Sequence, residues 1–98
     1  MSNAGSPYRT LADVRAKNAA EGMFFFSRQT MKFWRSRIES TLIRGRYFIT
    51  SEDEFAIDGR IPARVYAVRR ANDDGSITTM ASMLRSKDAA REFIRRVE

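Results

Sequence analysis

Apolar residues recur at helical spacing in three segments of the chain, which predicts three α-helices. The first begins after Thr10, whose hydroxyl can accept from free backbone N–H groups, with Asp13 three residues on as in a capping box. Gly22 is placed to end this helix at the position after its C-cap. Its stripe contains only two large apolar residues, Leu11 and Val14, so we expect a helix that docks loosely or that docks against a partner.

The second predicted helix follows Ser27, another N-cap candidate, and carries two distinct faces. Met31, Trp34 and Ile38 recur at i, i+3 and i+7, a stripe typical of residues that pack in a core. Charged residues recur at i, i+4, i+7 and i+11 on another face: Arg28, Lys32, Arg35 and Glu39. The spacing therefore predicts a helix of about three turns that separates an apolar side from a cationic side.

Three segments rich in β-branched and aromatic residues predict strands at residues 46–50, 64–70 and 77–81, and a start of the first strand at Leu42 stays open. An acidic loop is expected after the first strand, from Ser51 to Pro62. Residues 72–75 read Asn-Asp-Asp-Gly and predict a hairpin turn, because glycine after aspartate tolerates the positive φ that such turns need.

Ser86 is expected to cap a final helix with Asp88 in its first turn and Arg95 and Arg96 in its last. The fold class is therefore α+β, with two N-terminal helices, a three-stranded antiparallel sheet and a C-terminal helix packed on the sheet. We expect helices on one face of the sheet and solvent on the other. A flexible arm at 1–9 is predicted to precede a single domain at 10–98.

The composition argues against catalysis, because the 98 residues include no histidine and no cysteine. The five glycines are dispersed, so no phosphate-binding loop is predicted. Two groups of acids, at residues 52–58 and 73–74, lack the spacing of a calcium-binding loop. We expect no enzymatic activity, no cofactor and no metal site, and a metal-dependent nuclease built on aspartate and glutamate is the one enzymatic alternative.

The sequence predicts neither a membrane-spanning segment nor a secretion signal. No apolar run approaches the roughly 20 residues of a membrane-spanning helix, and no apolar signal segment follows the start of the chain.

The net positive charge lies in the first half of the chain. Residues 1–50 contain nine basic and three acidic side chains, whereas residues 51–98 contain nine of each, which accounts for the formal charge of +6. Fifteen of the eighteen basic residues are arginine, which favours bidentate contacts with phosphate or carboxylate. One-sided positive charge is typical of proteins that meet a polyanion or an acidic protein surface.

Candidate binding residues are the six basic side chains between positions 28 and 46 and one aromatic residue: Arg28, Lys32, Phe33, Arg35, Arg37, Arg44 and Arg46. We expect the helix and the following strand to present these cations as one continuous patch. Phe33 lies off the apolar stripe and is the aromatic residue expected to be exposed and to stack on a base. The alternative is a solvated face that keeps the protein soluble.

Several motifs resemble a family of small proteins of unknown function that bacteriophages and mobile elements carry. The resemblance covers roughly residues 18–96 and is concentrated in four runs: GMFFFSRQTMKFWRSRIES at 22–40, RYFITSE at 46–52, YAVRR at 66–70 and DGSI at 74–77. It implies an accessory protein that acts in the bacterial cytoplasm, where such proteins commonly bind DNA or block a host machine.

Three functional hypotheses follow. The favoured one is a nucleic-acid-binding accessory protein that contacts phosphates through the basic residues. The alternative is an inhibitor of a host bacterial system, for example of the anti-CRISPR type, that binds an acidic protein surface. A homodimer formed through Phe24–Phe26 and the first helix is the third.

Overall fold

The computed structural model describes residues 6–33, 35–53 and 64–97. The elements in chain order are α1 (Leu11–Ala20), α2 (Arg28–Phe33), β1 (Arg37–Ile38), β2 (Tyr47–Asp53), β3 (Arg64–Ala71), β4 (Ile77–Leu84) and α3 (Lys87–Arg96). The α+β class is confirmed, with an antiparallel sheet and helices at both ends of the chain. The sheet has four strands in the order β1-β2-β3-β4, one more than the sequence predicts.

The additional strand lies where the second helix was predicted to continue. That helix ends at Phe33, because Arg35 adopts a left-handed conformation with φ 51. The N–H of Arg35 then donates to the carbonyl of Lys32 (3.1 Å), and that of Ser36 donates to Met31 (2.8 Å), which is a Schellman ending. Ile38 therefore pairs with Thr50 in the sheet, and the prediction of a helix that reaches Glu39 is wrong.

The predicted acidic loop begins later than expected, because β2 extends to Asp53. Ser51, Glu52 and Asp53 belong to β2, where they pair with Tyr66, Val65 and Arg64 of β3. The rest of that predicted loop, from Glu54 onward, lies outside the described residues, as does Trp34.

Local capping signals were predicted correctly at both long helices. The Thr10 and Asp13 side chains form the reciprocal capping box of α1, and Gly22 follows the C-cap with φ 76. The Ser86 hydroxyl accepts from the N–H of Ala89 (3.0 Å) at the start of α3. The hairpin turn is also confirmed, since the N–H of Gly75 donates to the carbonyl of Asn72 within it.

One face of the sheet is covered by α3. Ala90 and Ile94 of this helix form a buried cluster with Ile49 of β2 and Val68 of β3. Aromatic residues at the cluster edge, among them Tyr47, complete the packing. The prediction of a C-terminal helix packed on the sheet is therefore confirmed.

The opposite face is covered as well, whereas the sequence led us to expect a solvated face. Phe48 of β2 is fully buried beneath Phe25 and Phe26, with ring centroids 6.0 and 5.7 Å from its own. Two of the three phenylalanines proposed for a dimer contact are thus used within the chain. Phe24 is 72% exposed.

The N-terminal segment joins the same face. Tyr8 is buried with Val14 of α1 and Ala71 of β3, although it falls within the predicted N-terminal arm. Asn18 is also buried, and its side-chain amide donates to the carbonyl of Gly75 (2.9 Å). This buried and satisfied amide ties α1 to the hairpin turn.

The outer strand β4 is irregular. Its register with β3 shifts twice, between the pairs Tyr66↔Leu84, Val68↔Ala81 and Arg69↔Thr79. Each shift places an extra residue on β4, as in a β-bulge. Met83 lies in the first of these irregular stretches with φ 58 and is half exposed.

Candidate nucleic-acid interface

The short helix α2 and the turn after it bring several cations to one edge of the sheet. The Ser27 hydroxyl accepts from the N–H of Thr30 (3.1 Å) and starts the helix at Arg28. The left-handed Arg35 then reverses the chain, so that Arg37 enters β1 beside β2. Residues at both ends of α2 and in β1 consequently lie around the same surface.

This surface is an open depression of about 450 Å³, which we call the cationic depression. Its walls include five basic side chains and one carboxylate, together with Met31 and Ser36. The charged residues are Arg28, Lys32, Arg35, Arg37, Asp53 and Arg64. Among the described residues, five cations against one anion give the walls a formal net charge of +4.

Asp53 is held by two of these cations. Its carboxylate oxygens lie 2.6 Å from Nη1 of Arg64 and 3.6 Å from Nη1 of Arg35. The hydrogen bond from Arg64 is the main reason that the pKa of Asp53 is lowered below its ordinary value. Arg64 also donates from Nε to the hydroxyl of Ser51 (2.9 Å), so its guanidinium is fixed in position.

The remaining three cations of the depression are exposed to solvent. Arg28, Lys32 and Arg37 are exposed and have no ion-pair partner among residues 6–33, 35–53 and 64–97. Several like charges around one depression repel each other, and an anion bound between them relieves this repulsion. Arginine and lysine side chains donate charge-assisted hydrogen bonds to phosphate oxygens.

The structure brings together four of the predicted basic residues but not Arg44 and Arg46. Arg46 directly precedes β2, whereas Asp53 is the last residue of that strand. Seven residues at about 3.3 Å each place the two roughly 23 Å apart along the strand. Arg46 forms an ion pair with Asp73 (2.6 Å). Arg44 borders a separate depression with Arg91 of α3. The expectation of one continuous patch therefore does not extend to these two positions, and the side chain of Phe33 lies outside what the structure describes.

Arg64 is the member of the depression that the sequence analysis missed. It begins β3 and faces Asp53 because the two are directly paired in the antiparallel register. The alternation along β3 does separate Arg69 from Arg70, as the sequence indicates, and it puts Arg64 on the side of Arg70. The missing information was the register between β2 and β3, which local patterns do not provide.

A second pocket adjoins the cationic depression, and we call it the aromatic pocket. It has a volume of about 290 Å³ and shares Met31 and Ser36 with the depression. Its lining consists of Phe25, Thr30, Met31, Ser36, Thr50, Glu52 and Arg69. Since neighbouring residues of a strand point to opposite faces, Glu52 belongs to this pocket while Asp53 belongs to the depression.

Arg69 is fixed within the aromatic pocket. Its guanidinium lies over the ring of Phe25, with 5.4 Å from Cζ to the ring centroid. It donates from Nε to the hydroxyl of Thr50 (3.0 Å) and from Nη1 to that of Thr79. Burial lowers the pKa of Arg69, and the nearby carboxylate of Glu52 opposes that effect.

Other kinds of site find little support in the described part of the chain. No group of three or more acidic residues there is arranged to hold a metal ion. No helix in that part is both long enough and apolar enough to cross a bilayer.

Residues 10–94 match the Family of unknown function (DUF7447), so the chain belongs to this family. The match covers most of the chain and confirms the resemblance to a family of unknown function, while an origin in phages or mobile elements stays a prediction. No curated protein and no solved structure matches the chain.

Proposed function

We propose that this member of the DUF7447 family binds nucleic acid and that the cationic depression contacts the phosphates. The observation that carries the proposal is the convergence of five basic side chains from α2, the turn after it, β1 and β3 on one open surface. Among the described residues, the one carboxylate in the depression is already held by two of these cations. The other three cations are therefore available to an incoming phosphate chain.

The depression suits a polyanion better than a single small anion. It is open to solvent, and three of its exposed cations come from two elements, with Arg28 and Lys32 at the two ends of α2 and Arg37 in β1. Contacts spread over such a surface match a chain of phosphates, in which each charge follows the previous one along the backbone. The excess of arginine over lysine in the depression favours bidentate binding of phosphate oxygens.

Titration of labelled oligonucleotides at several salt concentrations tests the proposal. If Arg28, Lys32 and Arg37 contact three phosphates, the logarithm of the association constant should fall with the logarithm of salt concentration. The expected slopes are about −2.7 for duplex DNA and about −2.1 for a single strand. If neither the duplex nor the single strand binds at low salt, the proposal is contradicted.

A second candidate function is inhibition of a bacterial host system through a protein contact, in the cytoplasm and in the service of a phage or mobile element. The observation in its favour is Phe24, which is 72% exposed beside a segment rich in arginine. Exposed aromatic residues and arginine are frequent at the centres of protein interfaces.

Affinity capture from a bacterial lysate treated with nuclease separates the two functions. A protein partner retained after the treatment, and released by Phe24→Ser but not by the control Met83→Ser, would support the second candidate. Both residues are exposed apolar side chains, so the control matches the loss of apolar surface.

A further inference from the structure

We infer that the aromatic pocket takes one unpaired nucleobase of a single strand whose phosphates lie in the cationic depression. This inference rests on the proposed function and assigns the class of nucleic acid. The pocket and the depression are adjacent, since Met31 and Ser36 line both. A nucleotide bound across Met31 and Ser36 places its phosphate in the cationic depression and its base in the aromatic pocket.

The size and walls of the pocket fit a base. Its volume of about 290 Å³ lies at the lower end of small-molecule pockets, about 300–1,000 Å³, so it suits a group of one or two fused rings. Phe25 and Met31 provide apolar wall, and single-stranded bases stack on aromatic side chains and on guanidinium planes. Phe25 is held by its edge-on contact with Phe26, with ring centroids 4.9 Å apart.

The polar groups of the pocket favour a base over a phosphate. The Glu52 carboxylate makes no hydrogen bond within the described residues and would repel a phosphate. A base instead offers N–H donors to this carboxylate and ring acceptors to a cation. Arg69 lines the same pocket and supplies the donors.

Guanine matches these groups best among the four bases. Its Watson–Crick edge presents two neighbouring donors, which one carboxylate accepts together, and one carbonyl acceptor for a guanidinium. Pairing in a duplex hides this edge, so the pocket selects an unpaired base.

The test compares short single strands that carry the same number of phosphates. One strand has a central guanine, a second has an abasic site at that position, and three others have adenine, cytosine or thymine there. We expect the guanine strand to bind about tenfold more tightly than the abasic strand. The salt slopes of the two should be equal, because the phosphate contacts are unchanged.

Two neighbouring variants distinguish the pocket from the depression. Glu52→Gln removes a negative charge from the aromatic pocket, so binding of the abasic strand should strengthen while the preference for guanine falls to about twofold. Asp53→Asn removes the same charge from the depression, so it should strengthen binding of both strands and leave the preference at about tenfold. Thermal unfolding of both variants confirms that they are folded.

The outcomes separate the inference from the proposed function. Equal binding of the guanine and abasic strands, with a normal salt slope, would overturn the inference and leave phosphate binding in place. Tighter binding of duplex than of single strands would also overturn it. If neither the single strands nor the duplex bind, both the inference and the proposed function are overturned.

Discussion

The helices α2 and α3 use basic residues in opposite ways. α3 has ten residues, with Asp88 in its first turn and Arg95 and Arg96 in its last. This order suits the helix dipole. Its arginines also have partners on the same helix, since Arg91 pairs with Asp88, and Glu92 pairs with both Arg95 and Arg96.

α2 has a basic residue in its last turn, Lys32, but lacks the other features of α3. It has six residues, no acid in its first turn, and Arg28 at its first position, where a cation opposes the dipole. Arg35 occupies the left-handed position after the helix, which at the end of α1 is filled by Gly22. Neither Arg28 nor Lys32 has an ion-pair partner in the described part of the chain.

The difference indicates what the two groups of cations are for. In α3 the arginines stabilise the helix that carries them, through its dipole and through neighbouring acids. In α2, Arg28 opposes the helix dipole, so helix stability does not explain a cation at this position. Binding of an external anion would explain it. The comparison therefore supports the proposal that binding is a property of α2 and the adjoining sheet edge.

The strongest test of this comparison neutralises matched sets of three cations. Arg28→Gln, Lys32→Gln and Arg37→Gln together should weaken duplex binding about a hundredfold at low salt and bring the salt slope close to zero, because three phosphate contacts are lost.

The matched control combines Arg91→Gln, Arg95→Gln and Arg96→Gln, which removes the same charge from α3. Binding should change by no more than about threefold, measured by fluorescence anisotropy. An equal loss in both triple variants would show that net charge, and not the depression, is responsible.

Removal of the acid Asp53 from the depression should have the opposite effect. Asp53→Asn is expected to tighten binding about two- to fivefold, because one repulsive charge near the phosphates is lost. Asp88→Asn, on the exposed start of α3, is the control and should leave the affinity unchanged. Weaker binding by the Asp53 variant would indicate that the carboxylate is needed to position Arg64.

The same variant tests a pH dependence. Since the folded-state pKa of Asp53 is lowered by Arg64, its stabilisation is present above the ordinary pKa of the carboxyl group and is lost as pH falls through the folded-state value. Thermal unfolding of the wild type should therefore lose this contribution below about pH 4, and Asp53→Asn should lack it at every pH.

The smallest expected effect concerns the end of α2. Arg35→Gly should stabilise the protein by about 0.5–1 kcal/mol, because glycine adopts the left-handed conformation without the steric cost of a side chain. This corresponds to a rise of a few degrees in the thermal midpoint. Arg35→Ala removes the same charge and keeps the strain, so it should give no such gain, and equal midpoints for the two variants would refute the explanation.

Features set by neighbouring residues were predictable from the sequence. The caps at Thr10 and Ser86, the end of α1 at Gly22 and the hairpin turn at Gly75 each depend on contacts within a few residues. The positive charge of the cationic depression was also predictable, because four of the five cations described there lie between positions 28 and 37.

Features set by distant contacts were not predictable. Ile38 fits a helical stripe, and only its pairing with Thr50 makes it part of a strand. Asn18 is a polar residue that local rules assign to solvent, and its burial depends on the carbonyl of Gly75, 57 residues away. Arg64 entered the depression only because the β2–β3 register places it opposite Asp53.

The irregularity of β4 limits how another protein can approach this sheet. In the described part of the chain, β1 offers an edge of only two residues, and β4 is interrupted by two shifts in register. A short or bulged edge is a poor template for an added strand, so it resists aggregation and recognition of peptides by β-augmentation. In the described part of the chain, the side chains are therefore better placed than the backbone of the sheet edges to contact a partner.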